Sequence, residues 1–118
     1  METPLFDRNL EEKIATAGVV AVLVVDDSQD AVPLARALLQ GGVVAMELTL
    51  RTPAAIEALK AIRRDAPEMT VGIGTILSVD QLHAACEAGA AFGVAPGCNP
   101  RLLAAARRQG LPFAPGIA

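Results

Sequence analysis

Glu47, Thr49 and Arg51 alternate with Leu48 and Leu50 in the run Glu47-Leu48-Thr49-Leu50-Arg51-Thr52. In a strand, successive side chains point to opposite faces, so the three polar residues share one face and Met46, Leu48 and Leu50 the other. The apolar set is expected to pack under helices. The polar set then projects into the middle of a sheet or barrel, where an unpaired charge is costly. Two readings stay open from the spacing alone. One is a structural Glu47–Arg51 ion pair; the other is a carboxylate base beside a guanidinium that grips an anionic substrate. A second run, Gly72-Ile73-Gly74-Thr75, removes two side chains from a strand. That leaves room for a ligand near Thr75 or marks a tight bend, and alternation does not fix the face Thr75 takes. Asp26-Asp27-Ser28 and Ala95-Pro96-Gly97-Cys98 end two further runs.

The elements that must position these residues alternate between strand-like and helix-like from end to end. Strand-like runs are Val19 to Val25, Val43 to Leu50, Met69 to Ile76, Phe92 to Pro96 and a start at Leu111 to Ile117. They begin at intervals of roughly 20 to 26 residues, the length of a βα unit. Asn9 with Glu12, Thr52-Pro53, Ser78 with Gln81, and Asn99-Pro100 read as helix starts. Gly18, Gly41-Gly42, Gly89 and Gly110 read as stops. Pro33 is tolerable only within the first turn of its helix, which leaves that start between Asp27 and Asp30. Such repetition predicts an α/β fold with a parallel sheet, because each helix carries the chain back to a neighbouring parallel strand. An open five-stranded sheet and part of a closed eight-stranded barrel both fit. A whole barrel needs upward of about 200 residues, and this chain has 118.

Taken in order, Glu47-Leu-Thr-Leu-Arg-Thr52, Gly72-Ile-Gly-Thr75, Pro96-Gly97 and Pro115-Gly116 resemble the 2-keto-3-deoxy-6-phosphogluconate (KDPG) and 4-hydroxy-2-oxoglutarate (KHG) aldolase family, from about Leu10 to Ala118. The resemblance implies a class I aldolase on a (β/α)8 barrel, homotrimeric at full length and cytoplasmic. The 118 residues supply an N-terminal helix and about the first five strands of that single domain. The implied reaction cleaves KDPG to pyruvate and glyceraldehyde 3-phosphate, with 4-hydroxy-2-oxoglutarate as a further substrate and no metal or organic cofactor. Residue by residue, Glu47 matches the general acid/base, Arg51 and Thr75 the groups that hold the pyruvyl carboxylate, and Pro96 a residue lining that pocket. Ile73 departs from the commoner Gly-Ala-Gly-Thr, a change that leaves the anion contact in place.

One part is missing from the pattern. A class I aldolase needs a neutral lysine amine to form its Schiff base. The family carries it on the sixth strand, beyond Ala118, with the phosphate-binding loops later still. Lys13 and Lys60 are the lysines here, and both read as solvated helix residues. The chain is therefore expected to hold the acid/base and carboxylate half of a site and to be inactive alone.

Composition narrows the alternatives. Hydrophobic residues make up 53% and charged residues 19%, which suits a globular chain, and 3% aromatics predict an aliphatic core. A net charge of −3 offers no basic footprint for nucleic acid. The apolar run from Ala17 to Val25 is too short to span a bilayer, and Met-Glu-Thr-Pro does not open a signal peptide. Cys86 and Cys98 form no CxxC pair and read as reduced thiols. Cys98 has no base to activate it, and His83 stands on a helix without a metal partner. A receiver-type signalling domain matches the length and Asp26-Asp27, but it requires an Asp ending the third strand and a Lys ending the fifth. Gly74-Thr75 and Leu111 to Ala118 provide neither. A non-catalytic half-barrel that binds carboxylates or serves in assembly is the remaining alternative.

Overall fold

The computed structural model describes residues 4–117. The N-terminal residues Met1 to Thr3 of the leader reading, and Ala118, lie outside them. In chain order the elements are α1 (Arg8–Ala17), β1 (Ala21–Leu23), a 3-10 turn (Ser28–Asp30), α2 (Ala31–Gln40), β2 (Ala45–Thr49), α3 (Ala55–Asp65), β3 (Thr70–Gly74), α4 (Val79–Glu87), β4 (Gly93–Val94), α5 (Pro100–Gln109) and β5 (Phe113–Ala114).

All five strands join one parallel sheet in the order β1-β2-β3-β4-β5. A doubly wound sheet reverses its strand order at a switch point and carries helices on both faces. Here no reversal occurs. Right-handed crossovers that all step the same way leave the crossover helices α2, α3, α4 and α5 on one side of the sheet, as in a barrel. Burial agrees with this. Met46, Leu48, Val71, Ile73 and Phe113 are buried in one cluster with Leu59, Ile62, Leu82 and Leu102 from the helices. On the other face Val22 and Val24 are 60% and 48% exposed. The molecule is thus a partial barrel whose outer face is covered and whose inner face is open.

Local chemistry explains most boundaries. Asn99 caps α5 by accepting from Arg101 N–H at 2.9 Å, with Pro100 in the first turn. Ser78 caps α4 at Gln81 N–H, and the Gln81 side chain accepts in return from Leu77 N–H at 2.7 Å. Gly18 and Gly110 end their helices at φ 75° and 70°, a conformation glycine adopts without steric cost. Pro33 does fall in the first turn of α2, after a 3-10 turn capped by Asp27.

Two expected caps are not caps. Helix α1 is capped by Asp7, whose side chain accepts from Leu10 N–H at 2.8 Å, rather than by Asn9. Phe6, just before that cap, packs on Phe92 with ring centroids 6.2 Å apart, so the helix entry is fixed from the strand side. Nor does Thr52 cap α3, which begins after Ala54 without a side-chain cap. Its hydroxyl donates instead to the Val25 carbonyl just past β1.

Candidate active site

Registers fix the inner face. Glu47 pairs with Val22 on one side and Gly72 on the other, and Thr49 with Gly74. On β4, Gly93 pairs with Ile73 and Phe113 of the covered face, so Phe92 and Val94 turn inward. The alternation expected for residues 46 to 50 is present: Met46 and Leu48 lie under the helices, and Glu47 and Thr49 face inward.

The polar set then divides by role. Thr49 is buried and its hydroxyl donates to the Leu23 carbonyl at 3.4 Å; Thr52 donates to Val25 O. Both threonines tie the second strand to the first. The two charged residues make no such bond. Among the described residues no hydrogen bond or ion pair joins Glu47 to Arg51; ion pairs form instead between Lys60 and Glu57 and between Arg64 and Asp65, both on exposed helix surface. The structural Glu47–Arg51 ion pair is therefore absent among the described residues. Arg51 is exposed in the turn after β2. Glu47 is half-buried, and burial, with no compensating charge, pushes its carboxyl above the ordinary glutamate value.

The glycines of β3 differ from their expected use. A β-carbon at Gly72 would collide with the Phe92 ring, and one at Gly74 would fall on the Glu47 carboxyl, 2.5 Å from its Cδ and 3.1 Å from its Cγ. The space those glycines leave is filled by protein, not left open for a ligand, and no bend is needed to account for them. Phe92 was missed as a site residue because only the β3–β4 register brings it over Gly72.

Thr75, next after Gly74, has φ 59°. A β-branched residue rarely adopts this left-handed conformation, and such strain collects at functional positions. Leu50 N–H donates to Gly74 O at 3.0 Å and Ile76 N–H to Val94 O at 3.2 Å. These bonds join the ends of β2, β3 and β4, so the Arg51 turn, Thr75 and the Pro96 loop share the carboxyl end of the sheet. Pro96 is exposed there. Gly116 lets the loop after β5 approach it, since a β-carbon at Gly116 would strike the Pro96 carbonyl. Glu47, Thr75, Arg51 and Pro96 thus lie toward one rim, Glu47 deepest. A cavity of about 860 Å³ between α1 and the opposite strand ends is lined by Lys13, Glu68 and Thr70 and is remote from them. Lys13 and Lys60 are exposed on α1 and α3, away from the inner face. Among the described residues no cluster could hold a metal ion.

A parallel partial barrel with an unpaired, half-buried carboxylate leading to the carboxyl ends of its strands defines the class: an α/β barrel chain of the kind that carries catalytic groups at that rim. The family model for KDPG and KHG aldolase matches residues 10–118, and the chain belongs to that family. It is 48% identical over 107 residues to the KHG/KDPG aldolase of Escherichia coli K12, covering 90% of this chain and 50% of the relative. The crystal structure of the Zymomonas mobilis ZM4 KDPG aldolase with 3-phosphoglycerate superposes with a TM-score of 0.86 at 42% identity, over 94% of this chain and 53% of that one. The Legionella pneumophila KDPG aldolase, with pyruvate captured as a covalent carbinolamine, gives 0.80 at 40% identity, over 84% and 48%. The chain spans about half the length of the curated relatives it matches.

Proposed function

We propose that this chain supplies the acid/base and carboxylate-binding half of a class I aldolase that cleaves KDPG, and 4-hydroxy-2-oxoglutarate, to pyruvate and an aldehyde. The observation that carries the reading is Glu47: a half-buried carboxyl with no ion-pair partner among the described residues and a raised proton affinity. A structural carboxylate would be paired or solvated, whereas a proton shuttle needs this intermediate setting.

In the proposed reaction a lysine amine outside these 118 residues condenses with the C2 carbonyl of the keto acid and releases water. Glu47 then accepts the proton of the C4 hydroxyl. The C3–C4 bond breaks, its electrons pass into the iminium, and the aldehyde leaves. The enamine so formed takes a proton at C3 from Glu47, and water releases pyruvate and restores the amine. Arg51 and Thr75 hold the pyruvyl carboxylate, Arg51 by a charge-assisted pair, and Pro96 lines the pocket. The full-length enzyme is a cytoplasmic homotrimer in this reading.

In the full-length enzyme, Glu47→Gln should lower turnover by about 10²- to 10⁴-fold, the usual effect of losing a positioned acid/base. Arg51→Ala should chiefly raise KM. Unchanged turnover in Glu47→Gln would leave Glu47 with a structural role only. A second reading, a carboxylate-binding half-barrel without turnover, draws support from the exposed position of both lysines, on α1 and α3.

A further inference from the structure

Glu47 does not lie straight across from its own position. Its registered neighbour on β3 is Gly72, yet its carboxyl occupies the place a side chain at residue 74 would take. That is one pleat, about 6.5 Å, further toward the carboxyl end of the sheet. The place above Gly72 is taken by the Phe92 ring, which Phe6 backs. Two glycines in one strand thus open two slots, one filled by an aromatic ring from β4 and one by the carboxyl from β2. We propose that Gly74 is a positioning residue for Glu47, and that Phe92, by closing the lower slot, fixes the level of the carboxyl along the barrel axis.

The inference extends the reading of Glu47 as acid/base, whose value depends on where the carboxyl sits relative to the rim. Two features make Gly74 suited to a test. Its φ is not positive, so alanine fits the backbone. The atoms a new β-carbon meets are the far end of a flexible side chain, which can swing aside. Gly74→Ala should therefore cost the fold little and expel the carboxyl specifically. Gly72→Ala differs, because the ring it meets is packed and buried.

The test is a carboxyl 13C NMR titration of glutamate-labelled 118-residue chain, with Glu47 assigned by Glu47→Gln, run beside thermal unfolding. The parent should titrate above the ordinary glutamate range. Gly74→Ala should bring Glu47 back toward that range with its unfolding midpoint close to the parent's, whereas Gly72→Ala should lower the midpoint. A Gly74→Ala protein that fails to fold but is restored by adding Glu47→Ala also assigns the slot to Glu47. An unchanged Glu47 titration in Gly74→Ala, or a folding failure that Glu47→Ala does not repair, overturns the proposal. Titration reports the place of the carboxyl and turnover of Glu47→Gln its role, so either idea can fail without the other.

Discussion

Burial of Glu47 penalises its charged form, and the consequence for stability has a definite sign. A carboxyl whose proton affinity is higher in the folded state than in the unfolded chain makes the fold bind protons more tightly, so stability falls as pH rises through the interval between the two values. Glu47→Gln should then raise stability at neutral pH and show no advantage below the ordinary glutamate range; urea titrations at several pH values would check this. A variant less stable than the parent at neutral pH would mean the carboxylate has a partner. Thr75 stores strain of a different kind. A left-handed backbone costs a side-chain-bearing residue about 1–2 kcal/mol, so Thr75→Gly should leave stability unchanged or raise it by up to about 1 kcal/mol. Thermal unfolding showing a loss larger than that would assign the threonine to the fold rather than to the site. The face shared by Glu47 and Thr49 was legible because a strand's two-residue period is local. The fate of Arg51 was not, since the strand ends at Thr49 and Arg51 falls in the exposed turn beyond it, where the two-residue period no longer sets the direction of a side chain.

Helix ends and strand lengths show a similar division. Ser78, Asn99, Gly18 and Gly110 act within four residues of themselves, so their roles can be read in place. Thr52 cannot, because the carbonyl it prefers is 27 residues earlier in the chain. Asp7 prevails over Asn9 as the cap of α1 where Phe6 meets Phe92 across the sheet. Apolar runs also overstate strands: Val43 to Leu50 pairs over Ala45–Thr49, and the fourth and fifth strands pair over two residues each, since pairing needs a neighbour in register as well as an apolar sequence. The correction at Thr52 has its own test. Thr52→Val should lose about 1 kcal/mol, the worth of one hydrogen bond, with helix content by circular dichroism unchanged. A loss of helix content would restore Thr52 as the cap of α3.

The inner face is where the whole molecule and its chemistry meet. Consecutive strand order puts the crossover helices α2, α3, α4 and α5 outside, which leaves Glu47 between β1 and β3 on the open side, above the Phe92–Phe6 floor. β2 and β3 are each paired on both sides, while β1 and β5 have one neighbour. Amide hydrogen exchange should therefore be slowest in Ala45–Thr49 and Thr70–Gly74 and fastest in the outer strands. In the proposed reading these 118 residues hold the proton-transfer and carboxylate half of an aldolase site and not its nucleophile. Incubation with pyruvate, reduction with borohydride and intact-mass analysis test it most directly. The expected result is no stoichiometric adduct, because Lys13 and Lys60 stand on exposed helix faces away from Glu47. A saturable, stoichiometric pyruvate adduct on either lysine would instead place the nucleophile within these 118 residues.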